Sequence, residues 1–320
     1  MLRLWLQAWL IFGALIFISG CAGNVGAMVA DLERHRTEVE LTDIPFHPQV
    51  TDQCGPAALA TILNVTDVNV TPEELKPHIY IPGRQGSLQL ELLATTRHYS
   101  RIPYSVDPDV SALLHQLQSG RPVLILQNLG VKHIPIWHYA VVVGYLPDDE
   151  QFVLRSGDKK RHLMSSRRFI RAWQRADYWG IVALQPGNLP PNADPDKYLR
   201  SVAAIEAVGD TTTAAVAYRA ATDQWPTNGL AWLGLGNASY AEGELNSARS
   251  AYQKLLELEP DNAIALNNLS QVHAELGCYE DALTAIESAL LAVEAGDPIV
   301  RYLRQTLEEL EPGDSAARCL

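Results

Sequence analysis

Two short stretches of this chain carry residue types that could do covalent chemistry together. In the first, Gln49 precedes Cys54 by five residues, and Cys54 opens the run Cys-Gly-Pro-Ala-Ala-Leu-Ala-Thr-Ile-Leu, a helical pattern rich in Ala and Leu. A thiolate at such a helix mouth is favoured by unpaired N–H groups and the positive end of the helix dipole. In the second, His138 stands between Trp137 and Tyr139 at the start of an apolar, β-branched run that ends at Gly144. An imidazole brought near a thiol can take its proton and later return it to a leaving amine. Gln49 can offer a side-chain N–H to a developing oxyanion beside the backbone N–H of Cys54. Gly55, lacking a Cβ, would let a substrate backbone come close. The chemistry indicated is nucleophilic catalysis by cysteine on an acyl group.

The surrounding pattern must deliver these groups. Leu41 to Pro48 reads as extended, because its prolines forbid helix. Cys54 to about Val65 reads as the nucleophile helix, with Pro56 tolerated in its first turn. Thr71, Pro72 and Glu74 make a capped helix start. Gly86 onward predicts another helix, and Asp109–Ser119 a third. The period then changes: Pro122–Gln127, Tyr139–Tyr145 and Gln151–Arg155 read as strands separated by turn residues. Helices followed by an antiparallel sheet is an α+β plan. The Pro-, Gly- and Asn-rich stretch from Gly187 to Pro195 marks a linker, so the first domain is expected over 41–187.

Past the linker the chain repeats itself. Trp225-Pro226 and Glu259-Pro260 are 34 residues apart, and Gly236, Gly243, Ala248 and Tyr252 have counterparts on either side, among them Gly209, Ala214, Tyr218, Gly277 and Ala282. A helix–turn–helix of this length with small residues at these slots resembles the tetratricopeptide repeat, which implies an all-α solenoid over 194–310. Its units are expected at about 194–226, 227–260 and 261–294, with a capping helix at Arg301–Leu310.

The Gln49, Cys54-Gly-Pro-Ala-Ala-Leu and Trp-His138-Tyr-Ala-Val-Val-Val-Gly motifs together resemble the C39-like cysteine peptidases, which have a papain-like fold, over about residues 41–185. With the repeats and the N-terminus, the chain is similar to a bacterial lipoprotein subgroup that joins such a peptidase to tetratricopeptide repeats. The resemblance implies that Cys54 is nucleophile, His138 general base and acid, and Gln49 an oxyanion donor. Two departures stand out. The family glutamine commonly lies one residue further upstream. The family also places an aspartate after the histidine to orient the imidazole; Ser156 occupies that slot here, and Asp158 lies two residues beyond. A serine hydroxyl can accept a bond from the Nδ1–H, whereas a carboxylate would also stabilise imidazolium. Ser156 and Asp158 both remain candidates for the third member. Two functions follow from this pattern. One is a cysteine peptidase hydrolysing a peptide bond, with acyl transfer to an amine as a variant through the same thioester. The other is a catalytically degenerate domain acting in protein binding or assembly. In either, the repeats would bind a substrate or partner protein.

Arg3 precedes an apolar stretch, Leu4–Ile18, of 15 residues. That is short of the roughly 20 needed to span a bilayer, so it reads as a signal peptide over 1–20. Ile18-Ser-Gly-Cys21 looks like a lipobox, implying cleavage before Cys21 and lipid on its sulfur. Ala22 resembles lipoproteins sent to the outer membrane, so the expected location is the bacterial cell envelope, lipid-anchored and facing the periplasm. Residues 21–40 would be a tether. A net charge of −12 argues against nucleic acid as a partner. Four cysteines are too few for a disulfide framework; Cys278 and Cys319 could pair or stay as thiols. No Cys or His spacing suits a metal, and no cofactor is expected.

Overall fold

A computed structural model of the protein describes residues 19–48, 53–84 and 86–310. The chain divides into two compact units, Met1–Ala183 and Leu184–Leu320.

The first unit is built around helix α2 (Cys54–Asn64), following helix α1 (Ser19–Leu32) and strand β1 (Val39–Glu40). Every residue of α2 from Gly55 to Leu63 is buried. Small and aliphatic side chains allow that, and the one hydroxyl among them, Thr61, donates to the Ala57 carbonyl at 2.9 Å. Asn64 fastens the far end: its Nδ2 donates to the carbonyls of Val68 and Val70, and its Oδ1 lies 2.7 Å from His47 Nε2. Helix α3 (Pro72–Ile79) starts as its sequence dictates, with a full capping box between Thr71 and Glu74. Strands β2 (Tyr80–Ile81) and β3 (Gly86–Ser87) then pair as a small ribbon. The helix expected from Gly86 therefore starts only at Gln89, as α4 (Gln89–His98). Strand β4 (Ile102–Ser105) and helix α5 (Val110–Gln118) follow, the latter capped by Asp109.

Strands β5 (Val123–Asn128), β6 (Trp137–Leu146), β7 (Gln151–Ser156), β8 (Lys159–Ser165) and β9 (Gly180–Leu184) complete a seven-stranded sheet of order β4-β9-β5-β6-β7-β8. Helix α6 (Ser166–Gln174) lies between β8 and β9. β5 is buried at every position because α2 and α6 both pack on it. β6 is long enough to outrun β5, which pairs with it only up to Val142; β1 takes over beyond, with Glu40 opposite Gly144 and Val39 opposite Tyr145. There a Cβ on Gly144 would sit 2.6 Å from the Val39 carbonyl oxygen. Gly144 is a residue the sheet cannot replace without moving β1.

Residues 21–40, expected as a tether, are corrected by the structure: they contribute α1 and β1. Val25, Val29 and Leu32 form a buried stripe of α1 at helical spacing, and the helix packs on α5 and α6. Behind it, His35 Nε2 lies 2.8 Å from Ser111 Oγ, which donates to Asp31 at 2.6 Å. The signal segment lies outside the described residues up to Ile18. No described helix is long and apolar enough to cross a membrane.

The second unit is a succession of helices: α7 (Pro195–Glu206), α8 (Thr211–Gln224), α9 (Gly229–Ala241), α10 (Leu245–Leu258), α11 (Ala263–Glu275), α12 (Tyr279–Leu291) and α13 (Val300–Leu310). The sequence period returns as cap chemistry. Asp194, Asn228 and Asn262 each cap the first helix of a pair, accepting from the backbone N–H three residues on. Gly209, Gly243 and Gly277 each turn the chain at positive φ, where only glycine is unstrained. Aromatic rings lie on missing side chains: a Cβ on Gly234 would meet the Tyr218 ring of the preceding pair at 2.3 Å, and one on Gly236 the Tyr252 ring of its own pair at 2.4 Å. Ala248 and Ala282 are fully buried where helices meet. Cys278 is disulfide-bonded.

Two stability measurements check this packing. Gly144→Val is expected to lower unfolding free energy by about 1–3 kcal/mol through overpacking against β1, read by denaturant titration; an unchanged midpoint would show β1 to be dispensable. Ala248→Leu and Ala282→Leu should cost a similar amount, about 1–3 kcal/mol, in the transition followed by helical circular dichroism.

Candidate active site

Cys54 is the first residue of α2, half-buried and outside any disulfide. Gln53, at the cap position, makes no side-chain cap bond, so the positive end of the helix faces the thiol without a competing side-chain acceptor from its cap. The thiol opens into a cleft of about 820 Å³ lined by Gly86, Ser87, Leu88, Gln89, Leu126, Pro135, Ile136, Trp137 and Tyr139. Gly55 serves a different purpose from the one expected. A Cβ there would lie 2.5 Å from Ser87 Oγ, so its missing side chain is filled by Ser87 and not by a substrate backbone.

Ser87 and Tyr139 are site residues that motif reading alone passes over. The Tyr139 hydroxyl donates to the Ser87 carbonyl at 3.3 Å, and its ring meets Trp179 edge-on at 5.8 Å. Burial pushes the Tyr139 phenol well above its ordinary range, with a further push from the neighbouring Cys54 and Glu91 charges. Tyr139 is therefore a neutral donor at any physiological pH and not a base. The Ser87 hydroxyl is buried without a hydrogen-bond partner among the described residues. The only trace of either in the sequence is that Tyr139 adjoins His138.

His138 is the second residue of β6, opposite buried Gln127 of β5. Its Nε2 lies 2.8 Å from Ser156 Oγ. This decides between the two candidate partners in the structure: Ser156, at the end of β7, meets the imidazole, while Asp158 is exposed in the two-residue turn that joins β7 to β8. Gly157, at φ 61°, makes that turn possible. The ring atom used is Nε2, not the Nδ1 expected, so Nδ1 is the nitrogen that Ser156 leaves for other work. Burial holds the His138 imidazole below its ordinary range, and the nearby His162 lowers it further. The ring is thus biased to the neutral form, able to accept a proton but poorly supported once it has one.

Gln49 lies outside the described residues, as does the side chain of Cys21. Among the described residues, one trio of metal-ligand types comes together, His273, Cys278 and Asp281 within 4.8 Å. The Cys278 sulfur is committed to its disulfide, and the trio is not assigned as a metal site.

Residues 41–179 match the Peptidase_C39 like family. Residues 206–254 match a tetratricopeptide repeat family and residues 236–277 a TPR repeat family. Among curated proteins, the peroxisomal targeting signal receptor of Komagataella phaffii is 30% identical over 121 residues, which cover 38% of this chain and 21% of the receptor. The chain therefore spans only 21% of the length of that curated relative. Among solved structures, a chain assigned as a C39-like peptidase from Bacillus anthracis aligns with a TM-score of 0.40 and 16% identity, covering 46% of this chain and 98% of that one. The type III secretion chaperone SycD of Yersinia enterocolitica, in complex with a peptide of the translocator YopD, aligns with a TM-score of 0.35 and 15% identity, covering 36% of this chain and 91% of that one.

The geometry at Ser156 makes a pH prediction. In wild type the His138 ring is expected to titrate below about 6.5, the ordinary value for histidine, because burial disfavours the cation. Ser156→Asp places a carboxylate beside the ring and should raise that midpoint by about one pH unit or more, read by NMR of the His138 ring protons. An unmoved midpoint would mean that residue 156 does not face the imidazole in solution.

Proposed function

We propose that this chain, a C39-like peptidase domain followed by tetratricopeptide repeats, is an exported, membrane-anchored cysteine peptidase whose repeats bind its substrate or a partner protein. What supports the catalytic part is a half-buried thiol at a helix N-terminus inside a cleft lined by Trp137 and Tyr139, with His138 between them in the chain and held through Nε2 by Ser156. In this reading Cys54 loses its proton to His138 and its sulfur attacks the scissile carbonyl carbon. The carbon–nitrogen bond breaks as His138 returns the proton to the departing amine, leaving a thioester. Water, deprotonated by His138, then attacks the thioester and releases the carboxylate and the thiol. The backbone N–H of Cys54 and the Gln49 amide would serve the oxyanion. Lipid attachment at Cys21 and a location at the outer membrane facing the periplasm belong to the same proposal, supported by the apolar segment before Cys21.

A second reading has a specific observation in its favour. Ser156 brings no negative charge to the imidazole, and burial together with His162 disfavours the imidazolium on which the thiolate pair depends. A domain with this arrangement would retain the peptidase architecture and act in binding or assembly, through the cleft or the repeats.

Alkylation of the purified protein separates the two. With iodoacetamide at neutral pH, Cys54 is expected to react at least about tenfold faster than an ordinary thiol of pKa about 8.5. The excess should vanish in His138→Ala, and labelling should vanish in Cys54→Ala. A Cys54 rate no greater than that of a free thiol, with no change in His138→Ala, would move the protein to the binding class.

A further inference from the structure

We infer that the hairpin linking β5 to β6 is a docking jaw that selects an extended peptide with apolar side chains and lays it beside Cys54; the inference deepens the cleft assignment above and rests on it. The hairpin exposes Leu129, Val131, Ile134, Ile136 and Trp137, with Ile134 71% and Val131 60% exposed. Apolar residues scattered singly on a surface need no explanation, but five within nine positions on one hairpin do.

The hairpin is also built to hold them there. Buried Asn128 accepts from the backbone N–H groups of Gly130 and Ile136, both at 3.0 Å, locking its two legs together. The Asn128 carbonyl in turn receives both Nε and Nη2 of Arg175, at 3.0 and 2.8 Å. Leu129 N donates to Ile136 O at 2.8 Å, and Val131 and Ile134 exchange backbone bonds at 3.2 and 3.1 Å. Gly130 is required where the legs cross, since a Cβ would lie 2.3 Å from the Ile134 carbonyl oxygen. Such a frame keeps the apolar side chains from collapsing onto the domain.

The jaw is continuous with the cleft, because Pro135, Ile136 and Trp137 belong to both. Leu90, 72% exposed, follows the lining residues Leu88 and Gln89 in the chain. Among the described residues, the lining holds no ionisable side chain apart from the Cys54 thiol and the Tyr139 phenol. Lys132 and His133 occupy only the hairpin tip. An acidic side chain next to the scissile bond would lose water here and face the Glu91 carboxylate that already acts on Tyr139, whereas an aliphatic or aromatic one would bury apolar surface. The occupant is therefore a peptide strand with apolar side chains flanking the bond presented to Cys54.

Fluorescence anisotropy tests this without turnover, using the full-length Cys54→Ala protein and two dye-labelled ten-residue peptides. One peptide carries Leu, Val and Phe at its centre, and in the other these are replaced by Asp and Ser. The apolar peptide is expected to bind at least tenfold more tightly, and Ile134→Asp with Ile136→Asp should reduce that preference at least fivefold. Both positions are exposed, so the fold should survive; Ile134→Ala with Ile136→Ala, expected to lower the preference by a smaller factor, guards against misfolding of the charged variant. Equal binding of the two peptides, or a preference untouched by the hairpin variants, would overturn the inference. So would hairpin-dependent binding to phosphatidylcholine vesicles with no peptide preference, which would make the jaw a membrane contact. Iodoacetamide reactivity of wild-type Cys54 reports on the catalytic reading separately: a reactive thiol without apolar selection sinks only the jaw, and apolar selection around an unreactive thiol sinks only the peptidase.

Discussion

The packing of helix α2 against strand β6 is the constraint from which the rest of the first unit follows. α2 is buried from Gly55 to Leu63, and a helix that apolar can exist in water only inside a core. β6 supplies one wall of that core with Tyr139, Val141 and Val143. The same strand pairs with β5, β7 and β1, so its position determines the sheet as well. Because Cys54 begins the helix and His138 lies at the start of the strand, the packing that stabilises the domain also sets where thiol and imidazole stand. The geometry of the candidate site is a by-product of core formation and needs no separate scaffold.

Electrostatics at the site pull in two directions. The helix end favours a thiolate at Cys54, yet the imidazole is buried, flanked by His162 and held by a neutral hydroxyl. A neutral imidazole is a competent proton acceptor but an ill-supported cation. Tyr139 adds a neutral donor between the two elements, fixing Ser87 against Gly55 and so shaping the cleft floor.

In the repeat unit the same economy appears in simpler form. Side-chain caps and positive-φ glycines recur at each pair, so each helix pair is specified locally and stacks on the next. Local specification is why this half was legible: its period, its glycines and its buried alanines can all be read from residue types at fixed offsets. The α2 boundary, the Thr71 capping box and the strands β5, β6 and β7 were legible for the same reason, since each depends on residues adjacent in the chain. Strands β4, β8 and β9 and helix α6 were not foreseen. Lys159–Ser165 carries no apolar alternation, and its conformation comes from pairing with β7 at the sheet edge.

By itself, then, the sequence determined the candidate cysteine and histidine, the α+β character of the first unit and the repeat architecture of the second, because each is written in local spacing. Only the tertiary structure decided what meets what. It gave the imidazole to Ser156 and left Asp158 in solvent, since strand register and the turn at Gly157 set which side chain comes within reach. It turned the expected tether into α1 and β1, because the buried stripe of Val25, Val29 and Leu32 has meaning only against α5 and α6, and the edge of β6 beyond Val142 was open. It placed Ser87 in the space left by Gly55 and raised an apolar hairpin beside the thiol. These are relations between residues far apart in the chain, and no local pattern encodes a distance between two surfaces that folding has yet to bring together.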